Sequence, residues 1–271
     1  MSLVYNATFD SQTRILSLLD KAGNVISSCG VPSKDVDDIT KPLTFKAKQD
    51  GSTVRISRYG SPEGAFEMST DGGNTWTDYT IGTSISLNTG DEVSFRAKAD
   101  RTSGQGYNEY FIFIMTGKIE AWHNVMSLYR TNDFATYDTV MEYAFSRLFK
   151  DCTSLTKAPA LPATTLDRWC YQFMFWNCVS LIKAPELRAT TLANDCYKGM
   201  FRECSSLNEV RCQMPSSYNV QQIRNYTDGT DFPIYPWLEG VSSTGTFYTN
   251  ADANWPSGAS GIPENWTRVN I

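Results

Sequence analysis

Residues 149–174 read FKDCTSLTKAPALPATTLDRWCYQFM, residues 175–200 read FWNCVSLIKAPELRATTLANDCYKGM, and residues 201–213 read FRECSSLNEVRCQ. The repeats begin at Phe149, Phe175 and Phe201, so they are evenly spaced, and the three align without gaps. A repeat of this length cannot bury its apolar side alone, because it offers only one layer of structure. We therefore expect neighbouring repeats to stack and to share a continuous core.

Small apolar side chains recur at fixed places in the repeats. Two columns of cysteine stand in register, and they consist of Cys152, Cys178 and Cys204 and of Cys170 and Cys196. No CxxC spacing occurs, so a narrow inner corner filled by one thiol per repeat explains the columns better than a metal or redox site. A weaker upstream copy is carried by Val140, Phe145 and Leu148.

Apolar spacing within a repeat indicates a short extended piece followed by a helix. Leu166, Cys170 and Met174 recur every four residues, which is typical of one helical face, and Thr165 is a candidate N-cap. Because the length of the repeat lies within the leucine-rich-repeat range, we predict a short α/β leucine-rich-repeat solenoid.

The whole chain is predicted to be a mainly β, multidomain protein with the repeats near its C-terminus. Candidate strands separated by turn residues, at 43–47, 53–57, 65–69, 84–87, 93–97 and 110–115, predict an Ig-like β-sandwich. The expected domains are an anchor hairpin and linker (1–41), the sandwich (42–118), the solenoid (119–212) and a C-terminal capping segment (213–271).

Inside the predicted sandwich, an Asp box is formed by Ser69, Asp71, Gly73, Thr75 and Trp76. In this S-x-D-x-G-x-T-W pattern the aspartate accepts hydrogen bonds from the turn, glycine permits positive φ, and tryptophan covers the turn. Sialidases carry several such boxes. The single box here predicts a structural hairpin, with a glycan-degrading, sialidase-like enzyme as the alternative.

Comparison of the repeats also separates invariant columns from variable ones. Trp169, Phe173 and Trp176 occupy columns that hold charged or small residues in the neighbouring repeats, among them Lys150 and Arg202. We expect these five residues to lie on an exposed helical face and to contact a ligand or partner. A glycan, a receptor protein, the C-terminal segment and a neighbouring subunit all remain open as occupants, and so does the alternative that these aromatics are exposed without any partner.

Composition excludes several classes of function. The chain has 271 residues, a net charge of −5, seven cysteines and one histidine, His123. One histidine rules out any site that needs two, and the acidic balance disfavours nucleic acid. We found no signal peptide, no membrane-spanning stretch and no catalytic motif. The sequence therefore predicts a protein without catalytic residues, cofactor, bound metal or membrane contact.

The text CTSLTKAPALPATTL, followed by CY and MF, resembles the BspA-type leucine-rich-repeat proteins of gut Bacteroidetes and their phages. STDGGNTWTDYTIGT before the repeats and GVSSTGTFYTN after them resemble the same group. The resemblance implies surface attachment: a virion or fibre component, trimeric, held in a larger assembly by its N-terminus and binding a bacterial surface glycan or protein. A bacterial cell-surface adhesin is the other localisation that it implies.

Overall fold

A computed structural model describes residues 6–10, 15–19, 21–22, 25–30, 37–102, 104–213, 236–253, 255–258 and 261–271. The chain forms two compact units, Met1–Asp37 and Asp38–Ile271. The first contains one antiparallel sheet in the order β1–β2–β3, made by β1 (Asn6–Asp10), β2 (Ile15–Leu19) and β3 (Val25–Gly30). The hairpin expected from the sequence is the β2–β3 pair, and β1 adds a third strand.

Two sheets begin the second unit. The three-stranded sheet has the order β10–β5–β8, with β5 (Ser52–Tyr59), β8 (Ile85–Leu87) and β10 (Tyr110–Thr116). The six-stranded sheet has the order β13–β11–β4–β9–β6–β7, with β4 (Thr44–Ala47), β6 (Phe66–Ser69), β7 (Thr77–Tyr79), β9 (Glu92–Ala97), β11 (Ile119–Trp122) and β13 (Leu155–Lys157). Because β13 belongs to the first repeat, this sheet continues into the repeats.

Aromatic side chains fill the space between these two sheets. Phe45 of β4 lies 4.6 Å from Phe113 of β10, measured between ring centroids, and Phe95 of β9 lies 5.7 Å from Phe113. All three are buried. Along β5, buried residues alternate with half-buried or exposed ones, which is the period-two pattern of a strand with one face in a core.

The predicted α/β leucine-rich-repeat solenoid is wrong. Within the described part of the chain the only helical element is a four-residue 3₁₀ helix, η1 (Val125–Leu128), and the repeats contain no helix. Short β elements occur instead: β12 (Thr139–Val140) pairs with β14 (Thr165–Leu166), and β15 (Glu209–Cys212), β16 (Gly245–Thr249) and β17 (Trp266–Asn270) form a parallel sheet.

A ladder of turns takes the place of the predicted helix. Residues 143, 147 and 151 have positive φ, and this left-handed conformation recurs at every fourth residue through residues 169–177 and 195–203. An α-helix needs negative φ throughout, so one such residue in four prevents it. The same four-residue spacing still brings apolar side chains to one side, which is why the sequence pattern resembles that of a helix.

Backbone donors in the ladder alternate between two kinds of acceptor. The N–H groups of Ser146 and Leu148 donate three residues back, to Tyr143 and Phe145. The intervening N–H groups donate to the next repeat, as from Arg147 to the carbonyl of Gln172 at 2.9 Å. Each repeat is thus hydrogen-bonded to its neighbour without a regular strand.

Stacked rings run through the repeat core in two columns. Phe149, Phe175 and Phe201 stack at centroid distances of 5.3 and 5.6 Å, with interplanar angles of 1° and 3°. The second column consists of Phe145, Tyr171 and Tyr197. Both columns are buried, so the shared core expected from the repeat spacing is present.

The described C-terminal residues cover the last repeat. Phe201 and Glu203 donate their N–H groups to the carbonyls of Trp237 and Glu239, in place of a further repeat. Trp237 is fully buried and stacks on Trp255 at 5.4 Å. These contacts shield the end of the ring columns from solvent.

Candidate functional site

Three columns of side chains cross the outer surface of the repeats, and each column takes one residue from the same position of three successive repeats. In each column the middle position holds a large aromatic residue. The columns are Tyr143–Trp169–Asp195, Arg147–Phe173–Gly199 and Lys150–Trp176–Arg202. Because each repeat hydrogen-bonds the next in register, the three members of a column lie beside one another.

The first column is held by stacking and one hydrogen bond. The rings of Tyr143 and Trp169 are 4.8 Å apart and 9° from parallel. The indole Nε1 of Trp169 donates to Oδ2 of Asp195 at 2.9 Å. The indole ring is therefore fixed in its plane before any partner arrives.

A glycine in the second column makes room for Phe173. A Cβ built on Gly199 would lie 2.3 Å from two ring atoms of Phe173, so a larger residue there would displace the ring. On the other side, the guanidinium of Arg147 lies 5.4 Å from the centre of the Phe173 ring. Phe173 in turn contacts Trp176 at 5.3 Å.

The third column places a cation on either side of an indole. Nζ of Lys150 lies 4.6 Å, and Cζ of Arg202 5.5 Å, from the ring centre of Trp176. The indole Nε1 of Trp176 donates to Oε2 of Glu203 at 3.1 Å. Cation–π contacts of this kind contribute about 0.5–1 kcal/mol each at exposed sites.

Further aromatic residues extend this surface towards the first two sheets. The guanidinium of Arg147 lies 4.8 Å from the ring centre of Tyr107 and 5.1 Å from that of Tyr110. Tyr110 stacks on Tyr59 at 5.2 Å, and Tyr107 meets Tyr143 edge-on at 6.2 Å. We call the connected rings the aromatic strip, and its members are Tyr59, Tyr107, Tyr110, Tyr143, Trp169, Phe173 and Trp176.

The strip is open to solvent but not uniformly so. Tyr59 and Tyr107 are 57% and 55% exposed, whereas the other five rings are half-buried. The five residues expected to form a contact surface do lie together, on turns and not on a helical face. Sequence reasoning missed the four tyrosines, although Tyr143 shares a repeat column with Trp169, which was a usable signal.

A cleft borders the strip on the side of Tyr107. It has a volume of about 910 Å³ and is lined by residues 61–65, 98–102, 104–106 and Glu109. Gln105 donates its backbone N–H to the carbonyl of Glu142, which precedes Tyr143. The wall of the cleft therefore leads directly into the strip.

The Asp box forms a self-contained hairpin between β6 and β7. Oδ1 of Asp71 accepts from the N–H of Thr75 at 2.9 Å, and Oδ2 accepts from its hydroxyl at 2.6 Å. The Ser69 hydroxyl also donates to Oδ1, and the Trp76 indole donates to the carbonyl of Gly73. These bonds hold the pKa of Asp71 down at about 2. Both carboxylate oxygens are occupied within the turn, so the box offers no free acid or base.

His123, the single histidine, has a positive φ of 67° and a structural contact. Its Nδ1 accepts the backbone N–H of Asp38 at 3.2 Å. This places it where the chain enters the second unit.

The cysteines of the repeats are buried thiols. Sγ of Cys152, Cys178 and Cys204 donates to the carbonyls of Phe113, Phe149 and Phe175, at 3.2, 3.1 and 2.9 Å. Burial raises the pKa of Cys152, Cys170 and Cys196 because a thiolate there would lose its hydration. Six cysteines, Cys152, Cys170, Cys178, Cys196, Cys204 and Cys212, are free and buried.

We expect these six thiols to be unreactive in the folded protein. In a Cys29→Ser variant, a thiol reagent at pH 8 should label none of them, since their burial keeps the reagent away from the sulfur atoms. In denaturant the same protein should titrate all six. Rapid labelling of even one native thiol would contradict the burial described here.

Among the residues described, no group of three or more His, Cys, Asp or Glu side chains is arranged to hold a metal ion. No helix within the described ranges is long and apolar enough to cross a membrane. No protein-family model, curated protein or solved structure matches this chain.

Proposed function

We propose that this protein is a non-enzymatic attachment protein that binds a bacterial surface glycan along the aromatic strip. The observation that carries the proposal is the set of three columns in which Trp169, Phe173 and Trp176 are fixed by neighbouring repeats. Sugar rings present C–H faces that pack on flat aromatic faces, and successive sugar units suit a row of rings. Rings that are already held in place lose little side-chain entropy on binding.

Polar groups around the strip fit the same ligand. Arg147 and Lys150 can donate hydrogen bonds to sugar hydroxyls, and Glu203 can accept hydrogen bonds from sugar hydroxyls. A mixed polar and aromatic surface is also what a protein partner would use, so a receptor protein or a second subunit is the competing occupant.

The separate N-terminal unit suits an anchoring role. We propose that Met1–Asp37, a compact unit by itself, attaches the chain to a larger assembly, namely a phage particle, in a trimeric fibre. The bacterial cell surface is the alternative location. Mass spectrometry of purified particles tests this: the chain should copurify with virion proteins, and its recovery only from bacterial envelopes would contradict the virion location.

The strip itself is tested by removing two indoles. We expect the Trp169→Ala, Trp176→Ala double variant to bind surface glycans about 100-fold more weakly, because both are stacking platforms at the centre of the site. Binding is measured on a glycan array and then by titration with the glycans that bind wild-type protein.

Trp122→Ala is the matched control. Like Trp176, Trp122 is half-buried, donates its Nε1 to a glutamate (Glu120, 3.1 Å) and lies under a lysine (Lys157, 3.6 Å). It belongs to β11 and not to the strip, so binding should be unchanged. Unaltered binding by the double variant, together with a change in its oligomeric mass, would identify the strip as a subunit contact and refute the proposal.

A further inference from the structure

Arg101 lies in the wall of the cleft beside the strip, packed on aromatic side chains. Its guanidinium is 5.2 Å from the ring centre of Tyr129 and 5.6 Å from that of Phe111. Within the described part of the chain, no Asp or Glu side chain lies at ion-pair distance from it. Its protein acceptor is the side-chain amide oxygen of Gln105, which accepts from both Nη1 and Nη2.

A guanidinium in this setting is poorly solvated. Burial lowers the pKa of Arg101 to about 10 from its ordinary 12.5, which reflects lost hydration that the surrounding charges do not offset. The side chain is also held in place, because it lies between rings and its own backbone N–H donates to the carbonyl of Tyr129. The guanidinium has five N–H donors, of which two face Gln105, so three remain to bind a carboxylate.

Other charges lining the cleft narrow the choice of anion. Glu63 and Glu109 line it and bring negative charge, Lys98 is paired with Asp78, and Asp100 is paired with Arg130. Two carboxylates repel a dianion such as phosphate or sulfate, yet they accept hydrogen bonds from hydroxyl groups. The favoured ligand therefore carries one negative charge and several hydroxyls.

We infer that the cleft is a subsite for a uronic acid unit of the glycan, with the sugar carboxylate on Arg101 and its hydroxyls on Glu63 and Glu109. This rests on the proposed function and makes it specific, because the ligand becomes an acidic polysaccharide. The volume of the cleft lies within the range of small-molecule sites. The backbone hydrogen bond from Gln105 to Glu142, next to Tyr143, joins the wall of the cleft to the aromatic strip. One polysaccharide chain can therefore reach both the cleft and the strip.

The test compares an acidic polymer with its uncharged form. Wild-type protein is titrated with polygalacturonate and with fully methyl-esterified polygalacturonate, and we expect at least a tenfold preference for the acid. Arg101→Met keeps the apolar packing on Tyr129 and Phe111 but removes the charge, so it should abolish the preference while binding of the ester persists. If Arg101→Met does not fold, Arg101→Lys, which keeps the charge and loses the paired donors, should reduce the preference at least threefold.

D-glucuronate provides a measurement that does not depend on the strip. Chemical-shift titration of the full chain should show saturable binding, at least tenfold weaker for D-glucose and for Arg101→Met, and unchanged for Trp122→Ala. Equal affinity for acid and ester, or glucuronate binding that survives Arg101→Met, would overturn the inference.

The two proposals fail in different ways. Binding of neutral polymers that depends on Trp169 and Trp176, without preference for the acid, would leave the proposed function standing and refute the Arg101 subsite. Glucuronate binding that depends on Arg101, with no polymer binding at all, would support the Arg101 subsite and refute the proposed function.

Discussion

Replacing Phe175 with alanine is expected to lower the free energy of unfolding by about 3–5 kcal/mol. The ring is fully buried and lies between Phe149 and Phe201, nearly parallel to both. Its removal leaves a cavity that the hydrogen-bonded turns on either side cannot close, because their register is set by neighbouring repeats. Urea denaturation followed by tryptophan fluorescence measures the change.

Phe173→Ala is the control for this prediction. Phe173 is the same residue type two positions earlier in the chain, but it lies half-buried in the aromatic strip. We expect this substitution to lower the free energy of unfolding by less than about 2 kcal/mol, because the half-buried ring of Phe173 removes less apolar surface from water on folding than the ring of Phe175 does. Equal destabilisation by the two variants would show that the core column is not the main support of the repeats.

Asn124→Asp should destabilise the protein by about 3 kcal/mol or more. Asn124 is fully buried, and its Nδ2 donates to the carbonyls of Ile39 and Phe134, both at 2.9 Å. Its Oδ1 accepts the N–H of Met126 and so caps η1. A carboxylate would keep the cap but would face two carbonyl oxygens that it cannot bond.

Thermal unfolding monitored by circular dichroism at pH 7 tests this expectation. Asn132→Asp makes the same change on an exposed side chain and should stay within about 0.5 kcal/mol of wild type. Burial would raise the pKa of the new carboxyl, so the loss at Asn124 should shrink as the pH falls towards about 4, where a protonated carboxyl donates to one of the carbonyls. A wild-type melting temperature for Asn124→Asp at pH 7 would contradict the hydrogen bonds described.

The strands were more predictable than the turns. All six strands expected between residues 43 and 115 lie where the structure has strands, because alternating apolar residues bounded by Gly, Asn and Asp are a local signal. The repeat spacing also predicted stacking, as the pairing of Val140 with Leu166 confirms. The prediction of a helix was wrong because residues such as Arg147 and Phe173 adopt positive φ. Arginine and phenylalanine rarely adopt this conformation, so their identity does not predict it.

Some residues of the candidate site could likewise be predicted from the sequence, and others could not. Lys150, Trp176 and Arg202 could be grouped from the sequence, because they share a column of the repeat. Tyr59 and Tyr110 could not, since they come from β5 and β10 and reach the strip only through pairing of distant strands. Arg101 gave no sequence signal, because its packing between two rings is a property of the folded cleft.

The alternation of backbone donors has a consequence for how such a protein changes in length. Every second N–H in the turn ladder of a repeat donates to a carbonyl of the following repeat, and the last repeat finds its acceptors at Trp237 and Glu239. Deletion or duplication of one whole repeat keeps every donor in register, whereas a change by a single residue would leave a row of buried donors unmatched. We therefore expect this region to tolerate insertion or deletion of whole repeats only. The binding surface would lengthen or shorten by one repeat at a time.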